Sequence, residues 1–244
     1  IWGCNIMPSW GIHLKLAKKL NNKLNLDKDL FAFGNLIPDV DNDSIYTRKE
    51  AHYYTGIRFK KCPNELEIDL NKFLNDYKDR LKNPMIIGYY CHILTDEFYN
   101  EYIYTNKWIQ DGNKNVIGIK CDDGNIIDVS KNFRESLKYK HSDLEKYGRY
   151  IYNSEELFIP NNVDMIFNNS SVLNDNFYSQ ENIEHRIDYL NNGEFKVFNK
   201  LSEDDINNQN IYLLFNQKEL DKLLNDCYLY ILNKLNEEGI INEK

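Results

Sequence analysis

Pro84-Met85-Ile86-Ile87-Gly88-Tyr89-Tyr90-Cys91-His92-Ile93-Leu94-Thr95-Asp96, continuing to about Ile103, is the most apolar helical stretch of the chain. Tyr89, His92, Asp96 and Tyr99 recur along it at spacings of three and four, which places them on one helix face. On that face His92-Ile93-Leu94-Thr95-Asp96 reads H-x-x-x-D, an imidazole and a carboxylate one turn apart and within reach of one divalent ion. Such a pair alone says little, because a buried histidine beside an aspartate is more often a satisfied hydrogen-bonded pair. Its weight comes from what the rest of the chain sends to inward faces.

Upstream, Trp10 to Leu24 predicts a helix with His13, Ala17, Leu20 and Leu24 on one stripe and Lys15, Lys18 and Lys19 off it, so His13 faces inward. Asp29 to Leu36 is apolar and stops at Ile37-Pro38, where proline disfavours helix for the residue before it. Asp39 then falls at a helix-to-loop junction, with Asp39 to Asp43 read as loop. A helix containing His52 is expected next, followed by a patterned one through Leu66, Leu70, Phe73, Leu74, Tyr77 and Leu81. Three of the five histidines thus fall on expected inward faces of separate helices, together with two aspartates.

Downstream, Val116-Ile117-Gly118-Ile119 and Ile126-Ile127-Asp128-Val129 flank Asp122-Asp123-Gly124-Asn125, which predicts a β-hairpin insertion over about 114–130. Helices are expected near Asn132 to Tyr150, Ser179 to Leu190 and Gln217 to Asn236, with 154–178 read as a long Asn- and Ser-rich loop. The chain has no repeat at a fixed period. The fold expectation is one all-α domain over 1–244 with a small hairpin insertion and its candidate metal core within 9–105.

Bulk properties narrow the function. The 244 residues are enough for one substantial core. A net charge of -8 argues against a surface built to neutralise a nucleic-acid backbone, so no stable nucleic-acid complex is expected. A phosphate-bearing substrate stays open, because divalent ions can reverse the sign of an acidic cleft. The five cysteines, Cys4, Cys62, Cys91, Cys121 and Cys227, have wide spacings and no C-x-x-C pair, which reads as reduced thiols. No run of about 18 apolar residues predicts a membrane span. No signal-peptide core precedes or follows Met7, the first methionine, and a cytoplasmic location is the expectation.

In order and spacing, Trp10-Gly11-Ile12-His13, Gly34-Asn35-Leu36-Ile37-Pro38-Asp39, Ala51-His52-Tyr53 and Gly88-Tyr89-Tyr90-Cys91-His92-Ile93-Leu94-Thr95-Asp96 resemble the zinc-dependent phospholipase C family. The resemblance covers roughly residues 9–105. It implies an all-helical fold similar to that of the S1/P1-type nucleases, a cluster of two or three zinc ions, and hydrolysis of a phosphodiester such as a phospholipid. Carried over residue by residue, it implies one zinc on Asp39, His52, His92 and Asp96, with Asp96 bridging to a second held by His13, and Asp39 as general base. The family completes that second site with the amino and carbonyl groups of an N-terminal tryptophan, for which Trp2 and Trp10 are the available residues. It places a third-zinc histidine where this chain has Tyr102, and then an H-x-x-x-E pair, matched by His141-Ser142-Asp143-Leu144-Glu145. His185 with Glu181 is a weaker substitute and reads better as a surface helix pair. The S1/P1-type nuclease activity and a non-catalytic binding module on the same scaffold are the alternatives.

Overall fold

Side-chain caps and close helix crossings set the architecture. A computed structural model of the chain describes residues 9–39, 48–59, 62–173, 179–192 and 212–241. Its helices are α1 (Trp10–Leu24), α2 (Lys28–Gly34), α3 (Arg48–Ala51), α4 (Leu70–Asp76), α5 (Pro84–Asn106), α6 (Phe133–Ser154), α7 (Val163–Asn169), α8 (Gln180–Asn192) and α9 (Gln217–Glu237). Strands β1 (Tyr54–Phe59) and β2 (Cys62–Ile68) form one antiparallel pair. Strands β3 (Trp108–Gln110), β4 (Val116–Lys120) and β5 (Ile126–Asp128) form a three-stranded antiparallel sheet in that order. The protein is mostly helical, as the sequence predicts.

Several helices start on a side-chain oxygen that accepts from an otherwise unbonded first-turn amide. Asp27 serves Leu30, Asp69 serves Lys72, Asn83 serves Met85, Asn132 serves Arg134 and Asn216 serves Glu219. Helix α5 is the central element, buried at every position from Met85 to Asp96, and it packs on α2, α9 and α1. Two crossings are closer than side chains allow. A Cβ on Gly34 would lie 2.2 Å from the Met85 carbonyl oxygen, and one on Gly88 2.3 Å from the Phe31 carbonyl oxygen. A Cβ on Gly11 would lie 2.3 Å from the Gly148 carbonyl oxygen, which locks α1 to α6 in the same way. Helix α4 is held on α5 by Phe73, whose ring lies 5.0 Å from that of Tyr89 and 5.2 Å from that of Tyr90. Truncating such a buried ring to alanine costs about 3–5 kcal/mol.

The structure corrects the sequence reading in four places. The helix expected from Leu66 starts later, because residues 54–59 and 62–68 make the β1–β2 pair and the helix begins only at Leu70. Leu66 stands two residues from Ile68, a strand spacing, and four from Leu70, a helical one, and the Asp69 cap fixes the later start. His52 is not inside a helix but in the turn just after α3. The hairpin insertion gains a third strand, since Trp108–Gln110 pairs with β4. Part of the expected 154–178 loop is α7, started by the Asn162 side chain accepting from Met165, followed by a 3₁₀ turn at Ser170–Val172. Residues 40–43 of the expected polar loop lie outside the described residues. Among the described residues, no helix is long and apolar enough to cross a membrane, and Cys91, Cys121 and Cys227 are free.

Candidate metal centre

Four chain segments deliver five ionisable side chains to one buried point. His13 comes from α1, Asp39 from the 3₁₀ turn Ile37–Asp39, His52 from the turn after α3, and His92 and Asp96 from successive turns of α5. All five are between 0% and 2% exposed, which no surface charge pattern could produce. The glycine crossings explain the convergence: Gly88 sits one turn before His92, Gly34 sits beside Asn35, and Gly11 sits two residues before His13.

The Gly34–Gly88 contact brings the Asn35 carbonyl to the face of α5, where it accepts a hydrogen bond from His92 Nδ1 at 2.8 Å. A carbonyl oxygen can only accept, so Nδ1 carries the proton and Nε2 is left to the cluster as a lone pair. Burial first, then the neighbouring His13, pushes the His92 pKa down to about 3, which keeps the ring neutral. Its ring stacks on that of His13 with centroids 3.9 Å apart and planes 4° from parallel.

His52 is placed by two devices. Tyr89 donates its hydroxyl hydrogen to the Ala51 carbonyl, which ties the end of α3 to α5. Tyr53 then takes a left-handed backbone, φ 55°, and reverses the chain into β1. That conformation is costly for a bulky residue and is held by Tyr53 packing on Phe73 at 5.1 Å.

The distances between donor atoms define the chemistry. His52 Nε2 lies 3.4 Å from His92 Nε2 and 3.6 Å from Asp96 Oδ2, and His92 Nε2 lies 3.7 Å from Asp96 Oδ2. These three edges form a nearly equilateral triangle. Two ligand atoms about 2.1 Å from a tetrahedral ion are about 3.4 Å apart, so the triangle has the dimensions of one face of such a site. Asp39 Oδ1 lies 3.2 Å from His52 Nε2, close to the same spacing. The Asp96 oxygens are divided, since Oδ1 faces His13 Nε2 at 3.5 Å while Oδ2 faces His52 and His92. Two overlapping sets of donor groups, His13 with Asp39 and His92, and His52 with His92 and Asp96, are each compact enough to hold a metal ion, and they share His92. The two buried carboxyl groups, beside the neutral His92 ring, are a pocket whose polar atoms a divalent cation would satisfy.

The remaining candidates have other surroundings. His141 and Glu145 are half-buried on α6, Glu145 accepts from Arg149 at 2.6 Å, and neither joins a compact donor set among the described residues. The face of α6 turned into the core carries Lys140, Asp143, Leu144 and Tyr147 instead. Tyr102 donates to Glu219 Oε1 at 2.8 Å, and burial followed by that carboxylate pushes its pKa up to about 12. His185 and Glu181 are exposed on α8. Trp2 lies outside the described residues. Trp10 opens α1, and its indole Nε1 donates to Asp39 Oδ2 at 3.1 Å.

Sequence reasoning missed the positioning residues. The Asn35 carbonyl carries no side-chain signal, and the indole contact of Trp10 has no periodic signature. Arg186 is 8% exposed on the α8 stripe formed with Ile183, Ile187 and Leu190. A charged residue at core spacing was visible there. Comparison of the chain with protein-family models, with curated proteins and with solved structures gives no match.

Proposed function

We propose that the chain is a zinc-dependent phosphodiester hydrolase of the phospholipase C type, with two metal positions sharing Asp96. The observation that carries this reading is the donor triangle of His52, His92 and Asp96, with edges of 3.4, 3.6 and 3.7 Å. The divided oxygens of Asp96 support a bridge to the His13 side. Three imidazoles and two carboxylates are a donor set typical of zinc, which takes nitrogen and oxygen ligands in closed tetrahedral or partly open sites. The surroundings of Glu145 and Tyr102 favour two positions over three.

Bound zinc supplies Lewis-acid stabilisation of phosphoryl oxygens and brings the pKa of a bound water towards neutrality. The chain's own residues do the rest. His92 is fixed in one tautomer by Asn35, so it presents Nε2 without rotating. Asp39 holds Oδ1 towards the site, and the lone pair of Oδ1 not given to a metal would accept the proton of the attacking water. The water oxygen forms a new bond to phosphorus as the ester oxygen leaves, and the departing alkoxide takes a proton from solvent. No covalent enzyme intermediate is needed. The net charge of -8 favours a small or lipid-borne phosphodiester over a polynucleotide.

The test is elemental analysis of protein purified without chelator, paired with hydrolysis of bis(p-nitrophenyl) phosphate. We expect zinc in the purified protein and activity that chelator removes and added zinc restores. A protein that contains no metal and takes up none would sink the reading. Parallel assays on phosphatidylcholine vesicles and single-stranded DNA separate the phospholipase from the nuclease form.

A further inference from the structure

Two contacts of Asp39 among the described residues differ in kind. Oδ1 lies 3.2 Å from His52 Nε2, inside the candidate centre. Oδ2 accepts from Trp10 Nε1 at 3.1 Å, across 29 residues of chain. A buried indole N–H needs an acceptor, and a carboxylate gives it a charge-assisted one. The bond therefore fixes the rotation of the carboxylate about its own axis.

The indole is itself held from outside the donor set. Trp10 is 6% exposed and belongs to a small apolar cluster with Leu14, Ala32, Leu36 and Leu190. The edge of Tyr189 meets its ring at 5.8 Å and 86°. The Arg186 guanidinium lies over the ring at 5.5 Å from its centroid and at 5.6 Å from that of Tyr189. Both residues come from α8, which contributes no ligand to the candidate centre. The start of α1 is also fixed, because a Cβ on Gly148 would lie 1.7 Å from the Ser9 hydroxyl oxygen.

We infer that Trp10 is a positioning residue: its indole N–H holds Asp39 Oδ2 away from the metal and leaves Oδ1 as the only oxygen of that carboxylate offered to it. Asp39 is then a one-oxygen ligand, and α8 sets the precision of the site through the ring. This inference rests on the metal-centre reading. It gives Trp10 a role through its side chain, distinct from the backbone ligation that the family resemblance implies for an N-terminal tryptophan.

The experiment is a titration of metal-free full-length protein with Co2+, following the visible absorption and measuring Kd by competition with a chromophoric chelator. Wild type, Trp10→Phe and Ile119→Ala are compared. Trp10→Phe keeps an aromatic ring and loses the donor, and we expect metal affinity to fall about 10–100-fold. Its Co2+ absorption should weaken as the released carboxylate binds through both oxygens and raises the coordination number. Ile119→Ala truncates a fully buried side chain of β4, in the sheet that supplies no donor to the centre and outside the Trp10 cluster, and should lower the melting temperature without changing Kd or spectrum. Equal Kd and equal spectrum in wild type and Trp10→Phe would overturn the inference while leaving the metal reading standing. The inference fails in the same way if Ile119→Ala reproduces the spectral change. A wild type that binds no Co2+ overturns the metal reading and the inference together. If Trp10→Phe does not fold, the indole N–H resonance of Trp10 in wild type decides: it must shift on metal addition, and an unmoved signal overturns the inference.

Discussion

Two segments carry the same local pattern, a histidine followed one helical turn later by a carboxylic acid. His92 and Asp96 lie on α5 at 0% and 1% exposure, whereas His141 and Glu145 lie half-buried on α6. In the first pair His92 is oriented by the Asn35 carbonyl, and Asp96 is met by histidines from two other segments. In the second the carboxylate forms an i, i+4 ion pair with Arg149 on its own helix. The pattern is therefore only an offer of two donors. A site arises where other elements bring further donors to it and water is excluded, and here the glycine crossings of α5 with α2 and of α1 with α6 achieve both.

The largest expected effect breaks this comparison at its strong end. Asp96→Asn keeps the shape of the side chain and removes the shared negative oxygens, so elemental analysis should show bound metal reduced to one ion or none. Full retention would reduce α5 to the status of α6. A second effect comes from the crossing. Gly88→Ala places a methyl group against the Phe31 carbonyl, forces α2 from α5, and should lower unfolding free energy by about 1–3 kcal/mol. Metal affinity should fall with it, because Asn35 moves away from His92. Denaturant titration with and without zinc reads both, and unchanged affinity at reduced stability would separate the crossing from the site.

A third test uses pH on the chelator-treated protein. His92 is held neutral in the fold with its pKa lowered to about 3, whereas the unfolded chain protonates it near 6.5. The unfolded state therefore binds more protons between these values, so this contribution is complete above about 6.5 and is lost as pH falls towards about 3. Denaturation midpoints should decline over that window, and His92→Asn should flatten the decline. The smallest effect is expected at the other end of the comparison. Glu145→Ala removes a partly exposed i, i+4 pair worth about 0.3–0.5 kcal/mol and should leave metal content at the wild-type value. A loss of metal in this variant would restore α6 to the site and sharpen the case for a third ion.

Much of the fold was legible because it rests on local chemistry. The long helices α1, α5, α6 and α9 show in the 3.6-residue spacing of apolar positions, and the β4–β5 hairpin shows in its turn residues. The β1–β2 pair was not legible, because the spacing of Leu66, Leu70 and Phe73 satisfies a helical period even though the chain is extended up to Ile68. Strand β3 is three residues long and gains its structure from pairing with β4, a contact between residues that alternation alone does not link. Helix α7 is seven residues long and lies in a polar context where its cap is one asparagine among many.

The sequence by itself determined the candidate donors, since only a few histidines and aspartates stand at inward helical spacing or at a proline-set junction. It also determined that His92 and Asp96 share a face, which follows from the geometry of one helix. Only the tertiary structure decided that His13, Asp39 and His52 meet them, that His141 and Glu145 do not join a compact donor set among the described residues, and that Asn35 and Trp10 orient the donors. The physical reason is that spacing along one element fixes directions within that element. The meeting of donors from separate elements depends on how closely the helices cross, and glycine contacts and buried hydrogen bonds spanning tens of residues set that distance.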